Sequence, residues 1–226
     1  RMIENFLTTE VWKQGLNTYL TANTNGTGTP EKLFSALVNN SKDATTIINT
    51  LEGWTTQPGY PLITVTSSQV GTTNITYVLS QMPYAQSNTS KCMWNVPIVY
   101  TSQKESQFDA AKAQTHWLYH SDNTTNTLTV DDNGWLIVNV DQIGFYRVNY
   151  DALNWNKLKT QLDSNFTQIS NINRAQIIDD ALHLARTGHL DYATAFGLTN
   201  YLTKETDLAP WNAFFVNMRF LINIYY

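Results

Sequence analysis

The sequence predicts an α+β chain, in which a helical segment is followed by an antiparallel β-sandwich and then by the start of an α-helical domain. Apolar residues recur at helical spacing over the first sixty residues and again after Asp151. Between these regions the period changes to two, in short segments rich in Val, Ile, Thr, Tyr and Trp. We therefore divide the chain into residues 1–60, 61–151 and 152–226, as three parts of a multidomain fragment.

The first segment reads as consecutive helices. Thr29 and Pro30 provide a capping residue followed by proline at the first helical position, which is a typical helix start. A helical stripe carrying Ile47, Ile48 and Leu51 comes next. The helical region should end at a turn, and the expected structural residues there are Trp54, Pro58 and Gly59.

Seven short segments with strand character follow Pro61, without a helical pattern between them. They are 62–66, 74–80, 92–100, 115–120, 126–130, 135–140 and 144–150. The sequence DDNG at 131–134 predicts a hairpin between the fifth and sixth strands. Pro97 predicts an edge strand or a bulge, since proline cannot donate to a ladder. Seven such strands favour an antiparallel sandwich.

The last segment is helical. Asp151 ends the final strand and can cap a helix. The clearest apolar stripe carries Ile177, Ile178 and Ala181, and Gly188 follows it as a stop signal. Residues 191–204 and 210–226 predict two further helices.

Composition favours an extracellular protein. The net charge of −4 disfavours a nucleic-acid surface. The motif Asn-x-Ser/Thr, which accepts N-linked glycans, occurs at Asn25, Asn39, Asn74, Asn88, Asn123 and Asn165. The sequence contains no secretory signal and no membrane-spanning stretch. Apolar stripes run to both ends, so we expect a segment of a longer chain.

The stretch HWLYH places His116 and His120 at the spacing of a helical zinc site. Because the segment has strand character, the two imidazoles should lie about 13 Å apart, too far to share one metal. Trp117 also stands where the general-base glutamate of that motif would be. We therefore interpret both histidines as half-exposed strand residues.

The other candidate reactive groups are weak. His183 and His189 are predicted to have no carboxylate or cysteine partner at ligand spacing. Asp179 and Asp180 are adjacent, so their side chains should point about 100° apart on a helix and form a solvated face with a buried edge. Cys92 is the single cysteine and is expected to be a small buried residue. The residues alone indicate no catalytic or metal site.

Several stretches in order resemble the aminopeptidase N-type zinc metallopeptidases. They are RMIENFLTTEVWKQGLNTYL at the start, WTTQPGYPLITV (54–65), WNVPIVYTSQ (94–103), GFYRVNYD (144–151) and NRAQIIDDALHLARTG (173–188). The resemblance implies that residues 1–60 end a catalytic domain, 61–151 form a sandwich spacer and 152–226 begin a helical domain that covers the active site. Arg147 is then expected to pair with a carboxylate or carbonyl and fix the sandwich to its neighbour.

The resemblance also implies a function for the longer protein. Family members are membrane-anchored ectoenzymes, often glycosylated, that remove N-terminal residues from peptides with one zinc ion. Their His-Glu-x-x-His and Gly-x-Met-Glu-Asn motifs precede the region matching Arg1, so zinc is expected upstream of residue 1 and none in this chain.

Two alternatives stay open. Family members also serve as receptors for toxins or viruses, which would make this segment a docking module for a protein ligand. A free-standing adhesion or lectin-like sandwich is disfavoured by the helical flanks.

Overall fold

The first sixty residues form a small helical unit. The computed structural model describes residues 1–38, 43–70, 72–84, 92–120 and 126–225. Its first helices are α1 (Met2–Leu7), α2 (Thr9–Ala22), α3 (Pro30–Leu37) and α4 (Ala44–Thr56). The Thr29 hydroxyl accepts the Lys32 N–H and so caps α3. Leu7, Phe34, Leu37 and Leu51 form the buried core of this unit.

The middle of the chain forms two packed sheets, and all seven predicted strands are present. They are β1 (Pro61–Val70), β2 (Ile75–Pro83), β3 (Val96–Ser102), β4 (Gln114–Leu118), β5 (Thr127–Val130), β6 (Leu136–Val138) and β7 (Arg147–Tyr150). One sheet has the order β5-β2-β1-β7, and the other has the order β4-β3-β6. Large buried side chains fill the space between them, including Trp94, Trp135 and Tyr77.

Three details of the predicted sandwich were wrong. The sandwich is mixed rather than purely antiparallel, because β7 pairs with β1 in parallel. The DDNG turn does not make a hairpin, since β5 and β6 belong to different sheets. Its Asp132 carboxylate instead accepts the Lys104 N–H at 2.6 Å, which holds the turn beside the end of β3. Strand β3 is central, although Pro97 lies where only β4 pairs with it.

The last part of the chain is helical and shares a core with the sandwich. It contains α5 (Ala152–Asn165), α6 (Asn171–Arg186), α7 (Tyr192–Gly197) and α8 (Leu208–Tyr225). The helix expected over 191–204 is broken, because α7 stops at Gly197 and a 3₁₀ turn follows over Asn200–Lys204. Val148 of β7, Trp155 of α5 and Ile178 of α6 belong to one continuous buried cluster. Within the described ranges, no helix has the length and apolar character needed to cross a bilayer.

Candidate functional site

A cluster of charged side chains lies where the sandwich meets α6. Strand β7 alternates buried Val148 and Tyr150 with half-buried Arg147 and Asn149, so Arg147 points towards the helix. The Arg147 Nη1 donates to Asp179 Oδ2 at 2.7 Å and to Asp180 Oδ1 at 2.8 Å. We call these three side chains the Arg147 junction.

Further hydrogen bonds hold both carboxylates. Asp180 Oδ2 accepts the Val148 N–H at 3.2 Å, so the helix also fixes the strand backbone. Asp179 Oδ1 accepts an N–H from Asn217 of α8 at 2.8 Å and lies 3.2 Å from His183 Nδ1. The junction thus ties β7, α6 and α8 together.

These contacts correct two sequence-based expectations. The buried edge expected of the Asp179–Asp180 pair is present at Asp180, which is only 3% exposed. The expected solvated face is not, because Asp179 is half-buried and the long Arg147 side chain lies between the two carboxylates. His183 does have a carboxylate partner, since Asp179 lies four residues before it, one turn along the helix. The i, i+4 spacing was visible in the sequence and could have revealed this pair.

The two carboxylates of the junction differ in their pKa values. Burial raises the pKa of Asp180 to about 6, against the attraction of Arg147 and with the repulsion of Asp179. Burial acts in the same direction on Asp179, but the His183 hydrogen bond and the Arg147 charge outweigh it and hold the pKa of Asp179 well below its ordinary value. The acidic partners likewise raise the pKa of Arg147, although burial opposes this.

An open cleft of about 250 Å³ lies over the junction, with Tyr60 and Phe145 among its walls. Tyr60 packs on Tyr84 and Phe145 with ring centroids 5.5 and 5.2 Å apart. The Arg147 guanidinium lies 5.5 Å from the Tyr84 ring centre, which favours its charge further. This arrangement can hold elements together and can exchange a proton.

The HWLYH stretch is held by packing and by a hydrogen bond to an asparagine. His116 lies in β4, and burial lowers its pKa. His120 lies beyond the end of β4, not in the strand as expected, and its Nδ1 is 2.9 Å from Asn95 Oδ1. Trp117 packs edge-on against Phe6 of α1. Among the residues that the structure describes, no three His, Cys, Asp or Glu side chains are grouped to hold a metal ion.

The predicted structural residues lie at boundaries between parts of the fold. The Trp54 indole N–H donates to the Asn95 carbonyl at 2.9 Å, linking α4 to the sandwich. Gly59, after Pro58, has a φ of 84°, a left-handed conformation that favours glycine. Asp151 Oδ1 accepts the Asn154 N–H at 2.9 Å and so caps α5, while its Oδ2 accepts the Ser67 N–H of β1.

The other residues considered in the sequence lie outside the Arg147 junction. Cys92 is half-buried against the sandwich core. His189 follows α6, and its carbonyl accepts an N–H from Asn149. Three of the possible glycosylation sites, Asn25, Asn74 and Asn165, are exposed. The other three, at Asn39, Asn88 and Asn123, lie outside the described residues.

A second ion cluster was missed by the sequence analysis. Arg174 of α6 donates from Nε and Nη2 to the two oxygens of Glu205, at 2.7 and 2.9 Å. Its Nη2 also reaches Asp207 at 2.7 Å, and its Nη1 donates to the Ile169 carbonyl. The partners are 31 and 33 residues apart in the chain, so no local pattern connects them.

The end of the sandwich and the helices after it match a known family model, and nearly the whole chain is similar to named relatives. The model described as ERAP1-like C-terminal domain matches residues 135–226. Aminopeptidase N of Plutella xylostella is 32% identical over 224 residues, covering 94% of this chain and 23% of the relative. Aminopeptidase Ey of Gallus gallus is 32% identical, with 97% and 23% covered. Aminopeptidase N of Homo sapiens is 34% identical, with 94% and 22% covered.

The chain is of the aminopeptidase N type. The resemblance predicted from the sequence is confirmed along nearly its whole length. The chain spans less than a quarter of the length of these relatives, and it matches their C-terminal region. In this aminopeptidase N-type chain, the Arg147 junction lies within the part that matches the C-terminal domain model.

Proposed function

We propose that this chain is the non-catalytic portion of a cell-surface zinc aminopeptidase that removes N-terminal residues from peptides. The sandwich then acts as a spacer, and the helices after residue 151 begin the domain that covers the active site. The observation that carries this proposal is the Arg147 junction, in which charged groups hold a strand to two helices. The names of two relatives, aminopeptidase N and aminopeptidase Ey, support the activity proposed for the longer protein.

The zinc ion belongs, in this proposal, to a part of the longer protein outside these 226 residues. It would supply the activated water for peptide hydrolysis. The residues of this chain would contribute by placing the helical layer relative to that site. Their hydrogen bonds and ion pairs stabilise a geometry and do not attack a substrate.

Activity measurements test whether this chain is non-catalytic. The isolated chain is expected to leave an aminoacyl chromogenic substrate uncleaved, with or without added zinc. The longer protein is expected to cleave it, and a chelator should abolish this cleavage. Chelator-sensitive turnover by the isolated chain would contradict the non-catalytic role.

A junction variant of the longer protein tests the structural role. Arg147→Met is expected to lower the unfolding temperature and to reduce turnover, while the zinc content stays at one ion per chain. Lys104→Met is a matched control, because Lys104 also pairs with an aspartate but is exposed. An unchanged unfolding temperature in Arg147→Met would contradict the proposal.

We also place the protein outside the cell, anchored to the plasma membrane through a segment outside this chain. The exposed positions of Asn25, Asn74 and Asn165 are compatible with glycans. Expression through a secretory pathway is expected to add mass that a peptide N-glycosidase removes. Conversion of all six sequon asparagines to glutamine should abolish this mass, and a protein without glycans would count against the location.

The docking of a toxin or virus stays a prediction from the sequence resemblance. Capture of such a purified ligand by the immobilised chain would support it. Capture by the longer protein but not by this chain would assign the binding elsewhere.

A further inference from the structure

One guanidinium nitrogen serves two carboxylates in the Arg147 junction. Nη1 lies 2.7 Å from an Asp179 oxygen and 2.8 Å from an Asp180 oxygen. With both aspartates ionised, the three side chains carry one surplus negative charge. The Asp180 side chain is only 5% exposed, so water does little to stabilise this charge. The Arg147 Nε is buried and has no hydrogen-bond partner, so neither carboxylate receives a hydrogen bond from it.

The groups around Asp180 leave Arg147 as its direct cationic partner. Four tyrosines lie near the junction, and burial raises the pKa values of Tyr84, Tyr146 and Tyr150, so these three stay neutral. His183 faces Asp179 and not Asp180. Among the described residues, the charged, titratable and hydrogen-bonding side chains around the junction are Gln176, Asp179, His183 and Arg186 on α6, Arg147 and Tyr150 on β7, Tyr146 before it, Tyr60 and Tyr84 over Arg147, Asn217 on α8, and Asp141 and Gln142 of a 3₁₀ turn over Val140–Gln142.

The outlying charges have partners of their own. Arg186 lies over the Phe220 ring, 4.5 Å from its centre, and Asp141 pairs with Arg1 at 3.1 Å. The surplus charge is therefore confined to the junction. One proton from solvent on one carboxylate oxygen removes it.

We propose that Asp180 is a proton-binding switch at the joint between the sandwich and α6. Between neutral and mildly acidic pH its carboxylate takes up one proton, while Asp179 remains ionised on Arg147. The proton removes the surplus charge, and the joint becomes more stable. The proposal rests on the junction itself and not on the activity of the longer protein.

The pKa of Asp180 gives the pH window. Burial raises it to about 6, above the ordinary 3.8. A group whose pKa is raised by folding contributes stability that is complete below the ordinary value and is lost as the pH rises through the raised value. The stabilising proton is therefore bound at pH 4 and released as the pH passes through about 6.

A carboxyl ¹³C titration of the full 226-residue chain tests the switch directly. The Asp180 resonance is expected to titrate near pH 6, well above an ordinary aspartate. A midpoint at or below the ordinary value would overturn the proposal. Because this measurement uses the native chain, it does not depend on the folding of any variant.

Two variants test the cause of the effect. Asp179→Asn removes the competing carboxylate, leaves the guanidinium to Asp180 and should lower the Asp180 midpoint. An unchanged midpoint would overturn the shared guanidinium as its origin. His183→Gln is the matched control and should move the midpoint less than Asp179→Asn. A larger shift in the control would make His183 the controlling group and overturn the assignment.

Urea unfolding gives an independent readout. Relative to Asp180→Asn, which cannot titrate, the native chain should lose stability as the pH rises from 4 to 6. Its unfolding constant should increase by up to about tenfold per pH unit relative to the variant, since one proton is linked to folding. A ratio that does not change with pH would contradict the switch.

Discussion

The two ion clusters on α6 contain the same kinds of group and behave differently. Each places one arginine between two carboxylates. Arg174 donates to Glu205 through two nitrogens, and Glu205 also accepts the N–H groups of Thr206 and Asp207. Burial opposes ionisation of Glu205, yet the Arg174 hydrogen bonds and these N–H groups hold its pKa below the ordinary value.

The Arg147 junction has the opposite outcome for its buried carboxylate. Asp180 and Asp179 share a single nitrogen of Arg147, whereas Arg174 gives Glu205 two nitrogens. Asp180 also accepts the Val148 N–H at 3.2 Å and a Gln176 side-chain N–H at 3.4 Å. Burial raises the pKa of Asp180, and the repulsion of Asp179 adds to this against the attraction of Arg147. A buried carboxylate keeps its charge when its donors and its cationic partner outweigh burial and the repulsion of neighbouring carboxylates, and the mere presence of an arginine does not ensure this.

The largest effect is expected from Arg174→Met. Glu205 has a fully buried side chain, so removal of its partner leaves an uncompensated charge and should cost about 3–5 kcal/mol of unfolding free energy. Urea unfolding at pH 7 measures this loss. Arg174→Lys keeps the charge without the two-pronged geometry and should lose less. A loss below about 1 kcal/mol in Arg174→Met would remove the proposed difference between the clusters.

Arg147→Met should cost less, about 2–3 kcal/mol at pH 7.5, because Asp180 can take up a proton. The loss should be smaller at pH 5, where this proton is already bound in the native chain. Parallel urea titrations at the two pH values check the prediction. An equal loss at both values would mean that the two clusters do not differ in proton binding.

Glu205→Gln should show the reverse pH dependence, with a cost of about 2 kcal/mol at pH 7. The pKa of Glu205 is lowered by folding, so its contribution is present above the ordinary value and is lost as the pH falls through the lowered one. The difference between variant and native chain should thus shrink in acid. Thermal unfolding from pH 7 to pH 3 would reveal it, and a difference that grows in acid would contradict the comparison.

Asp151→Ala should have the smallest effect, about 1–1.5 kcal/mol. Asp151 accepts two backbone N–H groups, from Asn154 and Ser67. The variant therefore measures how much unfolding free energy a carboxylate contributes when it accepts backbone N–H groups at the start of α5. Asp191→Ala is a matched control, because Asp191 caps the six-residue α7 and lies exposed. Chemical denaturation should show a smaller loss in the control.

Local sequence patterns predicted the elements better than their partners. Alternating apolar residues and turn residues identified all seven strands, because both signals are contained in a few consecutive residues. The DDNG turn crosses between sheets, and its Asp132 carboxylate binds the Lys104 N–H, 28 residues away, a partner that no local pattern indicates. The parallel position of β7 beside β1 is likewise a long-range choice.

At the candidate site, too, a residue could be predicted from the sequence but its partners could not. The family resemblance singled out Arg147 and implied a carboxylate or carbonyl partner for it. The identity of that partner was beyond reach, since Asp179 and Asp180 lie 32 and 33 residues later. On a helix, the side chains of adjacent residues point in different directions. Asp179 and Asp180 nevertheless bind one group, because the long Arg147 side chain from β7 lies between them.

The parallel pairing of β1 and β7 has a mechanical consequence. The chain enters the sheet at Pro61 and leaves it after Tyr150, which is paired with Val65 further along β1. A pull that separates α4 from α5 therefore draws the two strands along their length in opposite directions. The hydrogen bonds between β1 and β7 are then loaded together, in shear, and do not break one after another.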